Sequence, residues 1–508
     1  LKRIIPILIF FIYSFFYPQY IDNDQYPPCI GWKYIDTAKF RLVFPNEMAG
    51  EGQRVANLLE YIYPKISTAE NKSKRVTLFL SNSGIFSNGY IQLAPQKGEF
   101  YSTPPQAGFM GNIEWYSSLS LHEGKHVDQF DRLNTGFTKF GGMIFGEMGR
   151  AALSFLSIPV WFLEGEAVYT ETDFSSGGRG RLPSFSMSTR SILLSGKRYK
   201  YIKSYLSSYK DHVPDVYRLG YFLTSYLKNN YGEKSIENIL KYSSSYSFYP
   251  LIFSRAIKRE TGMSVDHFYN RVMDDLYKRW EERDKKLKLT EFSPIIKSSP
   301  KVWTLYSSPK MTMEGDIIAY KYGLDSPLEL VRISPEGQEK KIKAINAVSH
   351  IDSVLSIGNG RITWDEPVRD LRWGKRSYSE INVLNLKSGK KNRITRRTRL
   401  FSPSISKDGQ FIAAINHSKL RETSLVIIRS SDGEIINKFN SPENSFLLTP
   451  SWDTNGKKIA MIRMVGGRKT ITIFDPETET FKDILELSFN SFSTPSFLNN
   501  YILFSSPL

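Results

Sequence analysis

The chain is 508 residues long and carries 68 Lys and Arg against 51 Asp and Glu, for a net charge of +17, with one cysteine. That length holds two or three domains with full cores, and the lone Cys29 excludes an intrachain disulfide. The basic excess favours anionic surfaces, yet Lys390-Lys391-Asn392-Arg393 and Arg396-Arg397 are short and lack interleaved aromatics, so they read as solvated faces and not as a dedicated nucleic-acid site.

Lys2-Arg3 precede an apolar run from Ile4 to Tyr17, which Pro18 ends. Its length matches the apolar core of a secretory signal and falls short of a membrane span. Residues 1–17 therefore read as a signal peptide or, since no A-x-A-like cleavage site is clear, as an N-terminal anchor. Tyr26-Pro27-Pro28 makes a poor lipoprotein signal ahead of Cys29. Export follows, to the periplasm, the cell envelope or the outside.

Residues 34–118 read as α+β. Lys39 to Phe44 and Arg75 to Leu80 are strand-like, with a helical period between them through Val55, Leu58, Leu59 and Ile62. Gly89 to Ala94 forms a further strand.

His122-Glu123-Gly124-Lys125-His126 comes next. Imidazoles at i and i+4 share one helical face, one turn apart, and two neutral imidazoles so placed can both reach a tetrahedral Zn²⁺. Glu123 projects beside them, where a carboxylate can take a proton from a water on the metal. A third histidine six residues on would make a metzincin, but that position is Arg132. Pro159-Val160-Trp161-Phe162-Leu163-Glu164-Gly165-Glu166-Ala167-Val168-Tyr169 supplies glutamates instead, Glu164 and its neighbour Glu166. Between the two motifs, the apolar run from Ala151 to Phe162 is expected to pack as core beneath the active helix, with a substrate pocket or a membrane contact as the other readings.

On these two motifs, residues 34–283 resemble the gluzincin zinc metallopeptidases, the thermolysin and aminopeptidase-like group. They look closest to bacterial peptidase MA-like relatives, which carry H-E-x-x-H followed by P-x-W-x-x-E-G-x-A-x-Y-x-E. The resemblance implies one Zn²⁺ per chain, held by His122, His126 and Glu164, with Glu123 as general base. Glu171, seven residues past Glu164, falls on the same helical face, where it can hydrogen-bond a ligating imidazole. The strand at Gly89 to Ala94 would pair with an extended substrate backbone, or serve as an ordinary sheet edge. Gly141-Gly142-Met143-Ile144-Phe145-Gly146-Glu147 lacks the asparagine of the exopeptidase signature and lies after the metal helix, so no aminopeptidase activity is expected.

Beyond a glycine-rich loop at Gly177-Gly178-Arg179-Gly180-Arg181, Asp215 to Phe222 opens a helix that runs to Tyr231. It is similar to the aminopeptidase-like Y-x-x-G segment, which implies that Tyr217 donates to the developing oxyanion, with His212 as the other candidate. Helices continue through Ile236 to Tyr242 and Val265 to Glu282.

A linker over 284–300 separates this domain, residues 30–283, from a different pattern at 301–508. Glycines ahead of a strand recur at Gly315, Gly360, Gly409 and Gly456, in steps of 45, 49 and 47. Ser308-Pro309, Ser402-Pro403, Thr449-Pro450 and Thr494-Pro495 punctuate the same units. The period fits one four-stranded propeller blade, and the units resemble the TolB-like repeat S-P-x-W-S-x-D-G-x-x-I-A. About four blades and part of a fifth are present, fewer than a closed ring takes, and an open stack of hairpins is the other arrangement.

The fold expected is thus multi-domain, an α+β thermolysin-like zincin domain followed by an all-β propeller. The function expected is an exported zinc metallopeptidase acting on a peptide or protein, with protein partners at the propeller and association with membrane surfaces. The alternative is an envelope scaffold whose peptidase-like domain is catalytically silent.

Overall fold

The computed structural model describes residues 25–69, 75–106, 112–288, 290–296, 301–346, 354–492, 494–499 and 501–506. The leader read at residues 1–17 lies outside them. An α+β region comes first and an all-β region follows.

The first sheet contains β1 (Trp32–Asp36), β2 (Phe40–Pro45), β3 (Val76–Ser81), β4 (Gly89–Leu93) and β5 (Gln96–Tyr101), in the order β1-β2-β3-β5-β4. Its three inner strands are parallel, whereas β1 and β4 run antiparallel at the two edges. Alternation sets the inner face: Val76, Leu78 and Leu80 are buried while Thr77 and Phe79 are half-exposed. Against that face lies α1 (Ala49–Ile66), whose Val55, Leu59 and Tyr63 repeat at helical spacing and share a core with Phe40, Leu42 and Leu78. Each such fully buried side chain contributes roughly 1.5–3 kcal/mol.

Nine further helices complete this region among the described residues: α2 (Trp115–Arg132), α3 (Gly136–Ser157), α4 (Val160–Asp173), α5 (Pro183–Leu194), α6 (Tyr201–Leu206), α7 (Val216–Tyr231), α8 (Ser235–Ser245), α9 (Ile252–Thr261) and α10 (Val265–Asp284). Glu114 caps α2 by accepting the Ser117 N–H at 2.9 Å, and 16 of the helix's 18 residues are buried. Its polar back face is satisfied by charge. Lys125 pairs with Asp128 at 2.8 Å, Arg132 with Glu166 at 2.7 Å, and Asp131 with Lys39 at 2.6 Å.

The segment expected as core beneath the active helix departs from that expectation. Ala151, Trp161 and Phe162 are buried, but Phe155 and Leu156 are 58% and 76% exposed. The reason lies in α3, where Gly146 adopts φ 64°, ψ −156°, and the chain folds back on itself. A Cβ on Gly149 would lie 2.6 Å from the Gly141 carbonyl oxygen, a contact eight residues apart that a straight helix cannot make. Packed against each other, the two arms turn their outer faces to solvent.

The all-β region is a series of antiparallel sheets in chain order. The first has β6 (Thr304–Met311), β7 (Ile317–Gly323), β8 (Glu329–Ile333) and β9 (Glu339–Ala344), and the second β10 (Ser356–Gly358), β11 (Arg361–Arg369), β12 (Ser377–Asn385) and β13 (Lys391–Arg393). The third has β14 (Leu400–Ile405), β15 (Phe411–His417), β16 (Thr423–Arg429) and β17 (Ile435–Asn440), and the fourth β18 (Phe446–Trp452), β19 (Ile459–Val465), β20 (Arg468–Asp475) and β21 (Thr480–Asp483). A pair, β22 (Ser496–Leu498) and β23 (Tyr501–Leu503), follows.

The repeated Ser/Thr-Pro dipeptides have a structural cause. Register skips between Ser307 and Lys310, Phe401 and Ser404, and Leu448 and Ser451, with Ser308, Ser402 and Thr449 at positive φ. Proline has no N–H for the ladder, so it settles at a bulge. In the second sheet, which has no such dipeptide, β10 and β11 pair without a skip through the turn Asn359-Gly360, both residues left-handed.

Neighbouring sheets share cores. Tyr320 and Leu330 meet Trp364 and Leu384, Ile381 meets Ile412, and Ile415 meets Ile459 and Phe474. Among the described residues, no such core joins the last pair of strands to the first sheet.

Three cations fasten this stack to the α+β region. Arg421 reaches Glu51 at 3.0 Å and Glu114 at 2.8 Å; Arg399 donates to the Gly84 carbonyl at 2.9 Å and Thr103 Oγ1 at 2.6 Å; Lys375 pairs with Glu99 at 2.9 Å. The stack therefore grips the cap of α2 and the far ends of β3 and β5.

Candidate metal centre

Glycines bring the helices of the site together. Where α4 crosses α7, a Cβ on Gly165 would sit 2.3 Å from the Gly220 carbonyl carbon, and one on Gly220 would sit 2.0 Å from the Trp161 oxygen. Glu164 precedes one glycine by a residue and Tyr217 precedes the other by about a turn, so the crossing carries both toward α2.

On α2, His122 and His126 project from one face with ring centroids 4.9 Å apart. Their Nε2 atoms lie 3.2 Å and 3.4 Å from Glu164 Oε2, and the three ligating atoms fall within 4.8 Å of one another. Ligands bound at about 2.0–2.1 Å at tetrahedral corners sit roughly 3.3 Å apart, so this donor set fits Zn²⁺. Burial pushes His126 down, but the Glu164 carboxylate and its hydrogen bond lift the imidazole to about 9. Burial likewise pushes Glu164 up, yet the two histidines hold it well below the usual carboxylate range. An imidazole lifted by a carboxylate, and a carboxylate held down by imidazoles, describe a pocket that draws positive charge.

The outer nitrogen of His126 is held as a metal ligand requires. Gln129 spends its amide donors on the Leu163 carbonyl and Glu166, both at 2.9 Å, so its oxygen accepts from His126 Nδ1 at 2.8 Å and leaves Nε2 free to ligate. Around His122 two partners compete. Glu171 Oε2 lies 3.3 Å from Nδ1, while Arg179 Nη2 lies closer, at 2.8 Å, as a donor. In the tautomer in which Arg179 donates, Nε2 carries the proton and points it at Glu164; in the ligating tautomer, Nδ1 donates to Glu171.

Glu171 is fully buried and clamped by Arg179, which gives it Nε–H at 2.6 Å and Nη2–H at 3.0 Å; with burial opposing, these contacts hold the carboxyl at about 2. Glu166, the other acid of the motif, points away into the Lys125 and Arg132 network. Glu123 is buried beside the histidines, and burial raises its carboxyl above the usual range. The Tyr217 ring stands 6.2 Å from the His122 ring; burial and Glu164 lift its phenol to about 12, so it stays a donor at neutral pH. His212 is elsewhere, stacked on Trp303 at 4.6 Å.

Arg179 was legible only as part of a loop. Gly178 backs onto Thr172 and Gly180 onto Tyr221, contacts too close for any side chain, and this seating delivers the guanidinium between Glu171 and His122.

No family model and no curated protein matches the chain. Among solved structures, it is similar to TolB from Acinetobacter baumannii, at 16% identity and TM-score 0.30, over 41% of this chain and 52% of that one. The β-propeller domain of the Trilobed protease from Pyrococcus furiosus aligns at 13% and 0.26, over 40% and 79%. The acylaminoacyl peptidase of Pyrococcus horikoshii aligns at 14% and 0.26, over 40% and 43%.

Proposed function

We propose that the chain is an exported zinc-dependent metallopeptidase whose β-sheet stack binds substrate or a partner. The observation that carries this reading is the convergence of His122 Nε2, His126 Nε2 and Glu164 Oε2 beside the buried Glu123. Held by these three, zinc would supply a Lewis acid that brings a water's pKa toward neutrality. The chain's own residues then have defined tasks. Glu123, raised by its burial, takes a proton from the attacking water and returns it to the leaving nitrogen. Tyr217 keeps its proton and donates to the oxyanion. The outer edge of β4, which among the described residues pairs only with β5, offers its backbone to an extended peptide, one side chain from α2 through Gly89 and Leu119. Export rests on the basic-then-apolar start of the chain.

The test measures zinc content and cleavage of an unbiased peptide library by wild type and Glu123→Gln. One zinc in each, with cleavage only by wild type, is expected; absence of zinc from both overturns the reading.

A second reading keeps the sheet stack as the working part, a binding or scaffold protein with a silent peptidase-like region. It is favoured by the three cations, Arg421, Arg399 and Lys375, that fix the stack to the α+β region as one framework. It predicts zinc-independent partner binding that Glu123→Gln leaves intact.

A further inference from the structure

The hairpin formed by α3 exposes more large apolar side chains than its fold explains. Met143, Ile144, Phe145 and Met148 surround the bend at Gly146 and are 53–74% exposed; Phe155 and Leu156 extend the face along the second arm. Solvated helices turn polar side chains outward, and apolar clusters of this kind mark docking surfaces. At its base the face continues into aromatics. Phe137 packs on Phe248 at 4.9 Å, and Phe248 on Tyr249 at 5.4 Å, both of the latter exposed.

Charge identifies the occupant. Residues 241–259, which carry those aromatics, contain Lys241, Arg255, Lys258 and Arg259 and no acid. All four are exposed, with Arg255 over the Tyr249 ring at 4.6 Å and Arg259 over Tyr242 at 4.9 Å. From Leu133 to Leu163 the only acid is Glu147, which is exposed beside the bend and whose carboxylate accepts the Gln96 N–H at 2.8 Å. An apolar face bordered by cations and amphipathic rings is the pattern of a segment that lies in an anionic lipid interface. A second copy on this face would set one basic border against another. Among the described residues no single helix is long and apolar enough to cross a membrane.

We propose that the α3 hairpin docks the protein on anionic membranes, with Met143, Ile144, Phe145 and Met148 in the acyl boundary and Lys241, Arg255, Lys258 and Arg259 on the headgroups. Docking stands without the peptidase reading. Its consequence for the cleft rests on that reading: Glu147 ties the hairpin to the start of β5, so the neighbouring edge strand would face peptides close to the membrane surface.

The experiment uses full-length protein with phosphatidylcholine vesicles, with and without phosphatidylglycerol, and needs no enzymatic readout. Wild type is expected to sediment with the anionic vesicles, more weakly as salt rises. The triple variant Met143→Ser/Ile144→Ser/Phe145→Ser should bind at least tenfold less tightly with an unchanged melting curve. In a Cys29→Ser background, an environment-sensitive fluorophore at Met143→Cys should shift to the blue on anionic vesicles, and one at Met313→Cys on the sheet stack should not. This second measurement isolates the hairpin from any affinity of the N-terminal apolar run. An unshifted fluorophore at 143 overturns the proposal. So does a wild-type dimer that the triple variant converts to monomer, which would assign the face to a second copy.

Discussion

Gly220→Ala sets two effects of opposite sign against each other. Alanine is the better helix former by about 1 kcal/mol, so propensity alone predicts a more stable protein. Packing predicts the reverse, because the new methyl would lie 2.0 Å from the Trp161 carbonyl oxygen. Carbon–oxygen contacts need about 3.3 Å, so α4 and α7 must part by roughly 1.3 Å, and overpacking of this kind costs about 1–3 kcal/mol. The net expectation is a loss of up to about 2 kcal/mol in urea unfolding of metal-free protein. Separation also carries Glu164 and Tyr217 away from the histidine pair. A displacement near 1 Å at a reacting centre can cost on the order of 100-fold, so on the proposed peptidase reading cleavage should fall much further than stability. Gly50→Ala is the control, since nothing lies within 4 Å of its Cβ position, and it should be neutral or stabilising. A Gly220→Ala protein stabilised as much as propensity allows, with unchanged zinc affinity, would refute the packing argument.

Three further outcomes can be measured. Arg179→Met strands the buried Glu171 carboxylate and should cost about 3–5 kcal/mol in urea unfolding, whereas Arg179→Met/Glu171→Leu should recover most of it; equal losses would mean the pair is not coupled. Burial works against Glu114, but Arg421 and Arg54 hold it at about 2 in the folded protein against 4.5 when unfolded. Its depressed pKa stabilises the fold above pH 4.5, and about 3 kcal/mol should be lost as pH falls from there toward 2, a slope that Arg421→Met should flatten. Burial raises Asp365 to about 7 from 3.8, so the folded state holds the extra proton and stability should fall by about 4 kcal/mol as pH rises between those values. Asp365→Asn should remove that decline, and calorimetry across the range checks it.

Much of the α+β region was readable because its signals are local. Two histidines four apart announce a helical face, and Val76, Leu78 and Leu80 announce a strand. The resemblance picks Glu164 by position, but the residues alone leave Glu166 as a competitor, since both lie in one helix. The structure separates them through Lys125 and Arg132 on α2, partners that sequence spacing cannot assign. Arg179 was hidden for a related reason: its role depends on two glycines that seat a loop, and a glycine-rich loop looks alike whatever it delivers. The Ser/Thr-Pro repeats were visible as a period, but their physical meaning, a bulge in the first strand, needed the register. Within the segment from Ala151 to Phe162 expected as core, Phe155 and Leu156 face outward, because composition does not say which side of a segment is packed, and the fold-back at Gly146 decides that.

The burial of α2 bears on how the site would meet the zinc proposed for it. A helix with 16 of 18 residues enclosed has no frayed state short of opening the whole region, so its amides should exchange with deuterium only at the rate of global unfolding. The histidine pair is then assembled before any cation arrives and stays assembled after one leaves. Chelation should strip such a centre without melting it, and readdition should restore it without a refolding lag. In a compartment where free zinc fluctuates, the protein would track supply directly, its occupancy a reversible reading of the surroundings.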